Sequence, residues 1–156
     1  MPSSLIPCAF TLFDTAGQEK YRSINKIFYK DCDCVVLGYD VTFKESFEND
    51  IKNYYYNEIK STCKDILIYL VGNKIDLYED RKVTTEEGKA YSKEKGIKFY
   101  EVSSKTGENV QKLIEDIAIT LLKKKMGKKI FLNSEDDEEN DELKHYKKIL
   151  QKFYNY

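Results

Sequence analysis

The segment TLFDTAGQEKYRS, residues 11–23, opens as an apolar strand-like run and ends in an unusual polar string. Three residues of that string, Asp14, Gly17 and Gln18, suit a phosphate site. Asp14, at the end of a strand, can hold Mg²⁺ through water. Gly17 lets a backbone N–H approach a terminal phosphate with no side chain in the way. Gln18 is placed to orient an attacking water. A polar turn that starts a helix would explain the Asp and the Gly, but not the whole string.

Residues 8–13, 34–39, 66–71 and 97–102 read as strands, and residues 44–60, 84–95 and 109–125 read as helices. CVVLGY (34–39) and ILIYLV (66–71) are nearly continuous apolar runs, as expected of strands buried on both faces of a parallel sheet. Thr84 and Glu87 are spaced as a capping box, with Gly96 as the helix stop. In the last helix Val110, Leu113, Ile114, Ile117, Leu121 and Leu122 recur at helical spacing. Strands alternating with helices predict an open α/β sheet with right-handed crossovers. Ligands bind such sheets at the carboxyl ends of the strands. Three punctuated loops fall there: residues 14–17, 72–76 and 103–107.

Two of those loops suit a purine. In Asn73-Lys74-Ile75-Asp76, the Asp76 carboxylate can accept from the N1 and N2 donors of guanine, a pair that adenine lacks. Asn73 can tie neighbouring loops together, and the stem of Lys74 can cover the base. In Ser103-Ser104-Lys105, the Ser104 amide can donate to guanine O6, the Ser103 hydroxyl can orient Asp76, and Lys105 can stack its stem on the base. A Ser-rich turn capping the next helix is the plainer reading of that second loop.

Composition limits the rest. The 156 residues carry 26 basic and 27 acidic side chains, a net charge of −1, which gives no general attraction to nucleic acid. No apolar run approaches the ~20 residues needed to span a bilayer. The four cysteines lack framework spacing and read as reduced thiols of a cytoplasmic protein. Cys32-Asp33-Cys34 reads better as a half-buried strand entrance than as a metal site. A basic run (123–129) is followed by an acidic block (134–142) of the kind that stays solvated. Beyond them Leu143, Tyr146, Leu150 and Phe153 share one helical face, as a small docking helix or a basic membrane or partner helix would.

Order and spacing decide among these readings. Asp14 precedes Asn73 by 59 positions, and Asn73 precedes Ser103 by 30. With DTAGQEKYRSI, VGNKIDL and EVSSKTGENV in that order, the chain resembles a small GTPase of the Ras superfamily, nearest its Rab (Ypt) branch. The resemblance runs from about residue 9 to residue 125 and implies a P-loop-NTPase-like open sheet with helices on both faces. It also implies GTP/GDP and Mg²⁺ as ligands, with Asn73, Lys74, Asp76, Ser103, Ser104 and Lys105 on the guanine. Asp14 would serve the Mg²⁺ through water, Gly17 the γ-phosphate, and Gln18 the catalytic water. Residues 18–30 would be the second switch, which meets effector and regulator proteins. A role in vesicle-mediated transport, as a monomer with peripheral association at the cytosolic face of endomembranes, follows from the same likeness.

The departures are specific. No G-x-x-x-x-G-K-[ST] loop occurs in the 156 residues, nor a first switch before Asp14. The first strand, first helix and second strand of the family sheet have no counterpart. Residues 1–126 are therefore expected to form a partial GTPase domain and residues 127–156 a charged tail. The expectation is an N-terminally incomplete record, with nucleotide binding and hydrolysis impaired in the chain as written. A nucleotide-free interaction module is the competing reading. Phe13 stands where the branch commonly has Trp, Ser104 where it has Ala, and Tyr154-Asn155-Tyr156 where it has prenylated cysteines.

Overall fold

The structure, a computed structural model, describes residues 9, 11–14, 29 and 32–133. Gly17, Gln18, all of the proposed second switch except Tyr29, and the helical face of Leu143, Tyr146, Leu150 and Phe153 lie outside the described residues. The chain divides into two compact units, Met1–Ile114 and Glu115–Tyr156. The sheet and the ligand-facing loops belong to the first.

Three parallel strands form the sheet: β1 (Cys34–Asp40), β2 (Leu67–Asn73) and β3 (Lys98–Glu101), side by side in that order. The helix α1 follows β1, with wide π turns over Ser46–Tyr55 and ordinary α geometry over Tyr56–Thr62. The helix α2 (Thr85–Lys95) joins β2 to β3, and α3 (Val110–Asn133) follows β3. This is the open parallel α/β sheet that the alternation of apolar runs with helical patterns predicted.

Register explains which side chains meet. Val35 lies beside Ile68, Leu37 beside Leu70, and Leu70 beside Phe99, so these residues share one face of the sheet. That face joins Phe47, Ile51 and Ile59 of α1 and Tyr91 of α2 in a single core. Phe47 sits between two rings, 4.7 Å from Tyr39 and 5.7 Å from Tyr91, the second edge-on. On the opposite face Tyr69 and Val71 of β2 are buried. Tyr39 lies over β2 beside Gly72 and reaches Gly88 of α2. A Cβ at Gly88 would stand 2.7 Å from the Tyr39 hydroxyl and 2.6 Å from the Phe99 ring, so only glycine fits between them.

The Tyr39 hydroxyl is buried and has no hydrogen-bond partner among the described residues. Burial, followed by the nearby Glu101 carboxylate, raises its pKa well above that of a free phenol. An unsatisfied buried hydroxyl costs about 1–3 kcal/mol. Tyr39→Phe keeps the ring and removes that cost, so urea denaturation should show a variant about 1 kcal/mol more stable than the parent.

Local signals explain the helix ends. Thr84 Oγ1 accepts from Glu87 N–H at 3.2 Å, and Glu87 Oε2 accepts from Thr84 N–H at 2.7 Å, completing the capping box. Gly96 ends α2 with φ +63°, a conformation that costs glycine little.

Three expectations are corrected, and one feature was not foreseen. Residues 11–14 form no strand; Leu12 and Phe13 are 80% and 57% exposed. A strand exists through its ladder, and β1 pairs only with β2 among the described residues. β1 is not buried on both faces, because Val36, on the face opposite Leu37, is 47% exposed. The π turns of α1 carry no mark in the sequence. α3 continues past residue 125, through the basic run, to Asn133. Lys, Met and Leu are good helix formers, and the single Gly127 costs only about 1 kcal/mol.

Candidate functional site

The carboxyl ends of β2 and β3 bring two of the predicted loops together. Val102 N–H donates to Gly72 O at 2.8 Å, and Ile75 N–H to Val102 O at 3.3 Å, which carries the strand pairing into the loops. Ser103 is fully buried. Its hydroxyl donates to Asp76 Oδ1 at 2.6 Å and accepts from Thr106 N–H at 3.1 Å. One carboxylate oxygen of Asp76 is thereby anchored, which orients the whole group. An anchored carboxylate can accept two converging donors with little loss of entropy.

Asn73 is the knot between the loops. Its Oδ1 accepts from Lys74 N–H (2.8 Å), Ser104 N–H (3.0 Å) and the Ser104 hydroxyl (3.1 Å). A carbonyl oxygen has two lone pairs, so three donors share two places. The Ser104 amide, the group suited to a base carbonyl, is thus a donor that Asn73 can give up. The Ser104 hydroxyl does more than the sequence suggested: it can keep Asn73 paired while the amide turns to another acceptor.

Lys74 has φ +69°, unusual for a residue with a side chain. Such strain costs about 1–3 kcal/mol and gathers at functional sites. Gly107, at φ +82°, closes the second loop, with its N–H on Ser103 O at 2.8 Å. Lys105 is exposed on that loop.

Asp40, which motif reading did not single out, ends β1 beside Asn73. Its carboxylate takes the Lys74 ammonium at 2.5 Å. It also accepts from Thr42 N–H at 2.8 Å and the Thr42 hydroxyl at 2.7 Å. Only the pairing of β1 with β2 could have revealed it.

Asp14 is exposed on the irregular segment, and no hydrogen bond joins it to these loops among the described residues. No cluster of three metal-ligating side chains occurs among the described residues. The donors and acceptors gathered at Asn73, Asp76, Ser103 and Ser104 are of the kind that a purine base pairs with. Asp14 presents an exposed carboxylate, a hard oxygen donor of the kind that Mg²⁺ takes while keeping most of its water.

Two carboxylates in this region have lowered pKa values. Burial pushes Asp40 up, but the hydrogen bonds from Lys74 and Thr42 outweigh it. Glu87 is held low chiefly by Thr84 N–H, against some burial, with help from the Thr84 hydroxyl and Lys44. A carboxyl with a depressed folded value contributes stability above its unfolded pKa and loses it as pH falls through the folded value. The urea midpoint should therefore hold from neutral pH to about pH 5, then drop below the ordinary Asp and Glu values of about 3.9 and 4.3. Combining Asp40→Asn with Glu87→Gln should flatten that acid limb.

The sequence pattern of the Ras family matches residues 4–123. The chain belongs to the Ras family. Its relatives place it on the Rab branch. Ras-related protein Rab-2B of Dictyostelium discoideum is 38% identical over 113 residues, covering 72% of this chain and 55% of the relative. Ras-related protein Rab-5A of the same organism is 39% identical over 115 residues, covering 73% and 56%. GTP-binding protein YPT52 of Saccharomyces cerevisiae is 35% identical over 130 residues, covering 69% and 55%. The chain thus spans about half the length of the curated relatives it matches. No helix among the described residues is long and apolar enough to cross a membrane.

Proposed function

We propose that these residues are the guanine-recognition half of a nucleotide-dependent switch acting in vesicle-mediated transport. The observation that carries this reading is the Ser103–Asp76 hydrogen bond of 2.6 Å, which orients a carboxylate beside the Asn73–Ser104 knot. Asp76 takes the N1 and N2 donors of guanine, Ser104 N–H takes O6, and the stems of Lys74 and Lys105 flank the ring. In such a switch Asp14 serves Mg²⁺ through water, Gly17 meets the γ-phosphate and Gln18 orients the attacking water. Residues 18–30 change order with that phosphate and meet effectors and regulators. The Rab and Ypt names of its relatives support the trafficking role and a place at the cytosolic face of endomembranes.

The 156 residues bind nucleotide weakly by themselves, because the base loops supply few of the phosphate contacts. Charge-assisted hydrogen bonds contribute about 1.5–3 kcal/mol each, and a phosphate cradle provides several. Fluorescence polarisation with a labelled GDP tests the reading. GDP, GTP and guanosine should compete at similar concentrations, and ADP should not. Stoichiometric GDP retained through desalting would overturn the weak-binding claim. A folded chain that ignores every guanine compound would overturn base recognition in favour of a nucleotide-free interaction module.

A further inference from the structure

We infer that Asp40 is a positioning residue of the base site, acting through the Lys74 ammonium; this rests on the base-binding reading above. Lys74 is held at both ends. Its backbone is fixed after β2 by its N–H on Asn73 Oδ1 at 2.8 Å and by Leu77 N–H on its carbonyl at 3.0 Å. Its ammonium is fixed 2.5 Å from Asp40 Oδ2, at the end of β1. The stem thus joins the carboxyl end of β2 to that of β1, on the side of β2 opposite β3.

Asp40 is itself held rather than merely nearby. Thr42 uses Oδ1 twice, through its N–H and its hydroxyl, which leaves Oδ2 for the lysine. The Asp40 amide donates to Ser46 Oγ at 3.0 Å, which fixes the residue from the α1 side. An ordinary surface pair joins two swinging side chains and contributes little. Here the carboxylate is fixed and its side chain is 22% exposed, so the pair selects one lysine conformation from many. A base that stacks under the stem then meets a side chain already in place, and less freedom is lost on binding.

The test is a double-mutant cycle read by GDP competition, with thermal unfolding of every variant as the control for folding. Asp40→Asn keeps the size and an acceptor for Thr42 but loses the charge; GDP affinity should fall about 3- to 10-fold. Lys74→Met keeps an apolar stem without the ammonium and should lose a similar factor. The double variant should lose no more than Lys74→Met alone, because Asp40 acts only through the lysine. Thr42→Val, which removes the hydroxyl bond to Oδ1 and keeps the backbone one, loosens the carboxylate without removing it and should give a smaller loss that also vanishes in the Lys74→Met background. It replaces Asp40→Asn in the cycle if that variant fails to fold. Affinity unchanged within twofold in the Asp40 and Thr42 variants, or a loss that simply adds to that of Lys74→Met, would overturn the inference alone. A wild-type chain that binds no GDP would overturn it together with the base-site reading.

Discussion

Replacing Asp76 by Ala should weaken GDP binding by roughly 10²- to 10⁴-fold. Two donors of guanine converge on this carboxylate in the proposed complex, and a hydrogen bond to a charged group contributes about 1.5–3 kcal/mol. Each 1.4 kcal/mol is about tenfold in affinity. Inosine diphosphate supplies a control from the ligand side. It keeps the N1 donor and O6 but lacks the amino group, so it can use only one of the two bonds. The wild-type chain should prefer GDP to IDP by about tenfold or more. Asp76→Ala should bind both equally, since the group that tells them apart is gone. The substitution also removes the acceptor of the Ser103 hydroxyl, which stays paired through Thr106 N–H. Thermal unfolding measured beside the titration separates any loss of fold from loss of recognition. A GDP preference that survives in a folded Asp76→Ala variant would remove Asp76 from the base site.

The second large effect concerns the core. Phe47→Ala should destabilise the chain by about 3–5 kcal/mol, measured as a fall in the urea midpoint. Phe47 is fully buried, and its ring meets Tyr39 from β1 and Tyr91 from α2. The Lys52 ammonium lies 4.5 Å from the ring centroid. Truncation leaves a cavity bordered by three elements, none of which can close it without breaking another contact. A single domain has only about 5–15 kcal/mol of net stability, so the variant should be near unfolding at ambient temperature. Phe47→Leu fills most of the space and should lose under about 2 kcal/mol. Equal stability of Phe47→Ala and the parent would show that the ring cluster does not hold the sheet to its helices.

The contrast between Asp76 and Asp40 shows how much was legible beforehand. Asp76 belongs to a contiguous string after a buried run, and its partner Ser103 follows the next run, so chemistry and spacing together pointed to the pair. Asp40 ends the previous run with nothing nearby in sequence to mark it. Its importance depends on β1 lying beside β2 with Asp40 against Asn73. The Tyr39 hydroxyl and the glycine at position 88 follow the same pattern, for the two positions are 49 apart in the chain and touch only after the sheet and α2 assemble.

What is local or repetitive could be read from the residues: the apolar runs of β1, β2 and β3, the Thr84–Glu87 cap, the Gly96 stop and the motifs that tie the chain to the Ras family. Backbone geometry and short-range hydrogen bonding set these features within a few residues, so they are written where they act. Tertiary structure alone decided that residues 11–14 form no strand, that Val36 lies open, that Ser104 offers Asn73 a second donor, and that Asp40 holds Lys74. Each of these depends on which strand lies beside which and in what register, a choice made by the packing of the whole chain.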